Sequence, residues 1–224
     1  MLESLVLTMQ NYPQHEKEFT KLYELYTDYN SHTNISAIKD KADVYQKHFE
    51  DSLSIVQFLE NTEAKVIDVG TGGGFPALPL AIVLPQITIT AIDGTGKKIK
   101  FVELAKKELG LSNLNPITAR AEELAHDENH REQYDMAISR ALAELKALLE
   151  YTCAFVKPNG FIIAFKKQGI EEEIAMAQGA MHELSLKLIQ QIDQGDKQLL
   201  VFKKTAKTTA GYPRSNKEIK NKTL

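Results

Sequence analysis

The sequence predicts a doubly wound α/β fold with a mostly parallel seven-stranded sheet, an antiparallel strand at its edge and an N-terminal helical extension. From residue 65, short β-branched segments alternate with helical stretches, which is typical of βαβ units that form a parallel sheet. A glycine-rich turn follows the first of these segments. The last two are separated by the short connection 193–197, which contains Gln194-Gly195-Asp196 and predicts a β-hairpin and therefore an antiparallel strand at the edge of the sheet.

Apolar spacing assigns the individual elements. Residues 19–29 carry apolar side chains at helical spacing, residues 30–34 have the composition of a loop, and residues 44–59 predict a second helix. Strands are expected at 65–69, 87–92, 114–118, 135–139, 161–165, 185–192 and 198–203. Helices are expected at 78–84, 97–109, 144–156 and 171–183. We therefore divide the chain into an N-terminal helical extension (1–62), a ligand-binding α/β domain (63–205) and a tail (206–224).

Composition restricts the class of protein. The 224 residues have a formal net charge of −3, with 43% hydrophobic and 25% charged residues, the balance of an ordinary globular protein. We expect no secretory signal, no membrane span and a cytoplasmic location. The lone cysteine, Cys153, lies on an apolar helix face, which predicts core packing and no metal site.

Charge is distributed unevenly along the chain. Residues 203–224 contain six Lys and one Arg against one Glu, a net charge of about +6, so the remainder carries about −9. Such a tail is either a solvated chain end or a surface that attracts a polyanion.

The strongest motif is VIDVGTGGGFPALPLA at residues 66–81. It lacks the Gly-Lys pair of a phosphate-binding NTPase loop, and Phe75 replaces the third glycine of a dinucleotide fingerprint. Instead, Asp68, Gly70, Gly72 and Gly74 form an acidic-x-G-x-G-x-G pattern. An Asp before the glycines suits a cationic group, so the pattern favours S-adenosylmethionine (SAM) over NAD; a purely structural turn is the remaining alternative.

Further candidates follow at the ends of the later strands. Asp93 ends the second strand, 23 residues after Gly70, where a carboxylate can accept both ribose hydroxyls of a nucleoside. Ala121 and Glu122 follow the third strand, where an adenine edge would lie. Arg140 ends the fourth strand and is able to hold a carboxylate or phosphate by a bidentate contact.

Several motifs occur together in this order: NISAI (34–38), KHFEDSL (47–53), the glycine-rich motif, RAEE (120–123), SRA (139–141) and YPR (212–214). In this combination the chain closely resembles the ribosomal RNA small subunit methyltransferase G family (RsmG, also called GidB). The resemblance implies a Rossmann-like class I SAM-dependent methyltransferase. Its expected action is to methylate N7 of one guanine, position 527, in bacterial 16S rRNA or the small ribosomal subunit, and we expect it to be a monomer.

The resemblance also implies roles for individual residues. Family cofactor contacts correspond to Gly70, Phe75, Ala121, Glu122 and Arg140, and Asp93 matches the acidic ribose position. Basic positions that resemble RNA contacts are Lys97, Lys98, Arg120, Lys166, Lys167 and, in the tail, Arg214.

The expected mechanism needs no general base, because N7 of guanine already exposes a lone pair. Catalysis then depends on positioning, with Arg140 the one candidate catalytic residue. His48 and Asp51, one helical turn apart, either touch the substrate or join the N-terminal helices to the α/β domain, and Asn34 is either a cap or a family-specific contact. Two alternative functions are a nicotinamide-dependent oxidoreductase, disfavoured by Phe75 and Asp68, and a non-catalytic RNA-binding module, which leaves the glycine turn unexplained.

Overall fold

The computed structural model describes residues 11–60, 62–221 and 224. Its seven strands form one sheet in the order β3-β2-β1-β4-β5-β7-β6. The strands are β1 (Lys65–Val69), β2 (Thr88–Asp93), β3 (Leu114–Thr118), β4 (Tyr134–Arg140), β5 (Val156–Lys167), β6 (Leu186–Asp193) and β7 (Lys197–Lys204). The predicted doubly wound α/β sheet is confirmed. β5 contains the buried apolar run 162–165, as expected for a strand that is covered on both faces of the sheet.

The pairing of the strands confirms the predicted hairpin at the edge. β2 pairs with β3, β1 with β4, and β4 with β5, all in parallel. β7 pairs antiparallel with both β5 and β6, so the hairpin places β7 inside the sheet and β6 at its edge.

The structure corrects two predicted helices. Helix 144–156 ends at Cys153, and the chain enters β5 at Val156, which pairs with Tyr134. β5 therefore starts five residues before the predicted 161, with a register shift that accommodates the turn-like composition of residues 157–160. The predicted helix 171–183 is divided at Ala177 into two helices.

The N-terminal helices also differ from the prediction. The first helix, α1 (Glu16–Thr33), includes most of the segment predicted as a loop, and it ends where Asn34 adopts a left-handed conformation (φ 49°). Asn34 is thus a helix cap. The second predicted helix is a series of short helical segments: α2 (Lys41–Val44), a π-helical turn (Tyr45–Glu50), α3 (Asp51–Leu53) and a 3₁₀ turn (Val56–Phe58). A further 3₁₀ turn, Pro13–His15, precedes α1.

The remaining helices are α4 (Ala77–Val83), α5 (Gly96–Leu109), α6 (Ala121–Leu124), α7 (Leu145–Cys153), α8 (Glu171–Met176), α9 (Gln178–Glu183) and α10 (Asn216–Asn221). None of the helices in the described ranges is both long enough and apolar enough to traverse a lipid bilayer.

Contacts divide the chain into two compact units. The first unit comprises Met1–Ala64 and Thr71–Thr118, and the second comprises Lys65–Gly70 and Ala119–Leu224. The predicted domain boundaries after residues 62 and 205 stay predictions. In the first unit, α1 buries Phe19, Leu22 and Tyr26 completely. In the second, the apolar side chains of β4, β5, β7 and α7 form the core.

Cys153 lies in the core of the second unit, as predicted. Its side chain is fully buried, and burial raises the pKa of the thiol to about 12. Because the thiolate is the reactive form, we expect no reaction with an aromatic disulfide reagent at pH 8 in the native protein. One equivalent of thiol should react after denaturation in urea. Rapid labelling of the native protein would contradict this burial.

Candidate active site

The site predicted at the carboxyl ends of β1 and β4 lies at the topological switch point of the sheet. Successive crossovers run outward from β1 to β2 and β3 on one side, and from β4 to β5 on the other. Open α/β sheets bind ligands at the carboxyl ends of the strands next to such a point. The hydroxyl of Ser139 donates to the carbonyl of Val69 (2.9 Å), which holds the ends of β1 and β4 together.

The first part of the glycine turn, at the end of β1, is tightly packed. Asp68 is completely buried. Gly70 has a φ of +76°, and a Cβ there would lie 2.6 Å from Cδ1 of Leu142, which follows β4. The left-handed backbone conformation at position 70 therefore favours glycine, and a Cβ there would force the Leu142 side chain to move. Arg140 ends β4 and is half-buried beside this loop.

The later glycines of the turn have different surroundings. Gly74 (φ +85°) has a backbone conformation that other residues rarely adopt, and a Cβ there would also clash with the side chain of Leu78. Gly72 (φ +59°) has no described atom within 4 Å of the position that a Cβ would occupy. The backbone of Gly72 therefore faces open space, which any side chain at position 72 would partly fill. Such a cradle fits a cofactor that approaches the backbone closely.

Asp93 ends β2 and connects it to the glycine turn. Its Oδ2 accepts a hydrogen bond from the backbone N–H of Gly72 (3.1 Å), and its Oδ1 accepts one from that of Thr95 (2.8 Å). Nζ of Lys98 is 3.7 Å from Oδ2. A carboxylate offers about four acceptor positions, so Asp93 keeps capacity for two ribose hydroxyls. The predicted role of Asp93 fits this geometry.

The side chain of Phe75 is buried. It is 4% exposed and is packed against His48, whose ring is stacked on it with centroids 4.3 Å apart. His48 is itself buried, and its Nε2 lies 3.2 Å from the hydroxyl of Tyr26. Asp51, on the next helical turn, is half-buried. Of the two interpretations of His48, the structure therefore supports internal contacts. Sequence periodicity did not indicate this pairing with Phe75.

Ala121 and Glu122 form the first turn of the short helix α6, and both are half-buried. Arg120 precedes that helix in an extended conformation with its side chain exposed. The predicted contact of Ala121 and Glu122 with adenine stays a prediction.

Three of the lysines predicted to contact RNA have partners within the protein. Nζ of Lys97 donates to the carbonyl of Thr33 (3.0 Å). Lys98 is near Asp93, as described above. Lys166, at the end of β5, forms an ion pair with Glu173 (2.6 Å). Lys167 is exposed, as is Arg120.

The tail is attached to the second unit. Arg214 forms a bidentate ion pair with the buried Glu150, with Nε–Oε1 and Nη2–Oε2 distances of 2.8 and 2.6 Å. The hydrogen bonds to Glu150 raise the pKa of the Arg214 guanidinium. Helix α10 then begins with reciprocal hydrogen bonds between Ser215 and Glu218, a capping box. Arg214 thus has a structural role, and its contact with RNA stays a prediction.

The sequence analysis did not identify Arg131, which precedes β4 and binds the tail through its guanidinium. Its two terminal nitrogens donate to the carbonyl oxygens of Ala125, Thr208, Thr209 and Tyr212, at 2.9–3.1 Å. No sequence motif marks Arg131. The sequence could have marked Glu150, because it is a charged residue within the strongly apolar α7.

Within the described part of the chain, no group of three or more His, Cys, Asp or Glu side chains is arranged to hold a metal ion.

Comparisons with known proteins agree with this architecture. The family model for rRNA small subunit methyltransferase G (GidB) matches residues 15–200. A protein from Thermoanaerobacter sp. (strain X514), named ribosomal RNA small subunit methyltransferase G, is 44% identical over 171 residues, covering 76% of this chain and 71% of that protein. A protein of the same name from Leuconostoc citreum is 39% identical over 209 residues, 90% of this chain and 87% of its own length.

Solved structures share the fold. A SAM-dependent methyltransferase from Aquifex aeolicus superposes with a TM-score of 0.58 at 18% identity, over 76% of this chain and 96% of that one. M. jannaschii TYW2, solved in complex with AdoMet, gives a TM-score of 0.55 at 21% identity, over 70% and 75% of the two chains. With the family model matched along residues 15–200, the chain belongs to the rRNA small subunit methyltransferase G family.

Proposed function

We propose that this protein transfers a methyl group from SAM to N7 of one guanine in 16S rRNA, as free rRNA or within the small ribosomal subunit. The observation that carries the proposal is the hydrogen bond between Gly72 N–H and Asp93. It links a backbone that faces open space to a carboxylate with acceptor capacity for a ribose. Family membership supports the reaction class and the rRNA substrate.

Individual residues have distinct proposed roles toward SAM. Gly72 and Gly74 let the backbone approach the cofactor, Phe75 keeps the turn in place, and Asp93 accepts the ribose hydroxyls. The buried Asp68 is proposed to supply negative charge for the cationic amino acid end, and further proposed contacts are Gly70, Ala121, Glu122 and Arg140.

When bound, SAM supplies an electrophilic methyl group that a nucleophile takes in one in-line displacement. N7 of guanine exposes a lone pair and loses no proton, so the chain's residues have no proton to remove. Their task is to bind, orient and exclude water, and positioning of this kind contributes about 7–11 kcal/mol to a bimolecular step. Arg140 is the candidate positioning residue, with a guanidinium able to hold a carboxylate or phosphate. Cytoplasmic location and the monomeric state stay predictions.

The decisive experiment is methyl transfer from radiolabelled SAM to small-subunit rRNA that lacks the modification, followed by mapping of the labelled nucleotide. We expect one labelled guanine, with the methyl group on N7. Incorporation at another base or atom would contradict the proposed specificity. Absence of SAM binding together with tight NAD binding would instead favour the oxidoreductase.

RNA binding is expected to weaken steeply with salt, because phosphate contacts release counterions. Arg120→Ala and Lys167→Ala remove exposed cations, and each should make the slope of log K against log salt shallower by about 0.7 for single-stranded RNA. Fluorescence anisotropy with a labelled rRNA fragment gives these slopes.

A matched control is Lys187→Ala. Lys187 is also exposed, but it pairs in register with Lys203, which lies opposite Phe161, and it is therefore at the other end of the strands from Lys167. Its slope should equal that of the wild type. Equal slopes for all these proteins would exclude Arg120 and Lys167 as phosphate contacts.

A further inference from the structure

Three aromatic rings meet beside the glycine turn. The ring of His48 is stacked on Phe75 with an interplanar angle of 1°. Tyr26 contacts both rings edge-on, with centroid distances of 5.4 Å to His48 and 5.7 Å to Phe75. Tyr26 and His48 come from the N-terminal helical segments, whereas Phe75 belongs to the turn. The N-terminal helices therefore contact the glycine turn directly.

Hydrogen bonds determine the orientation of the His48 ring. The hydroxyl of Tyr26 donates its one proton to the carbonyl of Ile38 (2.7 Å), so its oxygen accepts from Nε2–H of His48. The hydroxyl oxygen of Ser36 is 3.3 Å from the same nitrogen. This pattern assigns a proton to Nε2 and fixes the plane on which Phe75 is stacked.

Asn30 holds the loop that supplies Ser36. Its side-chain oxygen accepts from the backbone N–H of Ser36, and its side-chain nitrogen donates to the Ser36 carbonyl, both at 3.0 Å. In the same loop, Cδ1 of Ile35 would lie 3.4 Å from a Cβ on Gly73. The loop at residues 34–38 thus contacts the turn at a second point, next to the Phe75 contact.

The backbone of the turn depends on where Phe75 is placed. The backbone N–H groups of Gly74 and Phe75 both donate to the carbonyl of Thr71, and the N–H of Thr71 donates to Ile92 in β2. A displacement of Phe75 would disturb this bonded turn, and with it the neighbouring Gly72 N–H that donates to Asp93.

We propose that His48 is a positioning residue for SAM binding, which acts by holding Phe75 and so the glycine turn in its binding conformation. The inference rests on the proposed function, because it assumes that this turn binds SAM. In this role, His48 contacts neither cofactor nor substrate. A residue that only packs would affect stability and leave the affinity for SAM unchanged.

The test compares two substitutions of His48 in the full chain by calorimetry with SAM and by thermal unfolding. His48→Asn removes the stacked ring, and we expect the Kd for SAM to rise about tenfold at a temperature well below Tm, in line with loss of about 1.4 kcal/mol. His48→Phe keeps a ring on Phe75 and should recover most of that affinity. Wild-type affinity in His48→Asn would overturn the proposal, as would equal losses in both variants.

His130→Asn is the matched control. His130 is also stacked on an aromatic ring, that of Tyr134, and its Nδ1 is 2.6 Å from the Tyr134 hydroxyl, but the pair lies in the second unit. We expect lowered stability with unchanged SAM affinity. If both His48 variants fail to fold, Tyr26→Phe, which removes only the hydroxyl, must weaken SAM binding by about threefold or more; unchanged affinity there overturns the proposal.

The wild-type measurement separates this inference from the proposed function. If the wild-type protein binds no SAM, the proposed function fails. If it binds SAM and His48→Asn binds SAM equally well, the proposed function stands and the role of His48 fails.

Discussion

Gly72→Ala is expected to weaken SAM binding by about 10- to 100-fold while the protein remains folded. A Cβ at this position meets no described atom within 4 Å, so the substitution adds a methyl group to the space assigned to the cofactor. Overpacking by such a group costs about 1–3 kcal/mol, which corresponds to the stated loss of affinity. Calorimetric titration with SAM and with its demethylated product measures the effect.

Backbone strain has to be separated from this steric effect. Alanine in a left-handed conformation costs about 1–3 kcal/mol of stability. Gly110→Ala is the matched control, because Gly110 has a similar φ (+67°) and equally open surroundings but caps the carboxyl end of α5. Both variants should lose similar stability, and only Gly72→Ala should lose SAM affinity. Parallel losses of affinity would mean that the space beside Gly72 is not part of the cofactor site.

Lys204→Met is expected to lower the free energy of unfolding by about 3–5 kcal/mol, the usual cost of removing one partner from a buried ion pair. The Lys204 side chain is completely buried, and its ammonium donates to Glu132 (2.7 Å) and to the carbonyls of Cys153 (3.1 Å) and Val156 (2.6 Å). Burial lowers the pKa of Lys204, and the hydrogen bond to Glu132 offsets part of that shift. Urea unfolding measures the loss.

Lys203→Met is the control, because the neighbouring Lys203 is half-exposed and should change stability little. The double variant Glu132→Gln/Lys204→Met should be more stable than Lys204→Met alone, because it removes the carboxylate that the single change leaves without its cation. Equal stabilities of Lys204→Met and the wild type would refute the assigned importance of the pair.

The same pair predicts a pH dependence. Burial by itself raises the pKa of Glu132, but the hydrogen bonds from Lys204 and from the N–H of Thr208 outweigh it and lower the pKa below its ordinary 4.5. A lowered carboxyl pKa contributes stability above the ordinary value, and this contribution is lost as the pH falls through the lowered pKa. The acid limb of the stability curve should be less steep in Glu132→Gln than in the wild type.

Local sequence patterns predicted most of the strands, because each strand is marked by the side chains of a few consecutive residues. β1 and β3 agree with the predicted ranges to the residue, since both are short segments bounded by turns or loops. Prediction failed where contacts outside the local pattern accompany the observed element. β5 begins at Val156, which pairs with Tyr134, and α1 continues through residues of loop composition, where the side chain of Asn30 bonds the backbone of Ser36.

The sequence likewise predicted only part of the candidate site. The glycine turn and Asp93 were identified from motif and spacing, and the structure places a hydrogen bond between Asp93 and Gly72. Internal contacts were one predicted role of His48, but its partner Phe75 was not predicted, and neither was the role of Arg131, because both depend on residues brought close by folding.

By itself, the sequence determined the alternation of strands and helices, the left-handed positions that require glycine, and the acidic residue at the end of β2. Each of these follows from backbone conformation and side-chain periodicity over a few residues. Only the tertiary structure decided which charged side chains form ion pairs within the protein. Pairs such as Lys204 with Glu132 and Arg214 with Glu150 join residues more than sixty positions apart. Their energies depend on burial, which no local pattern records.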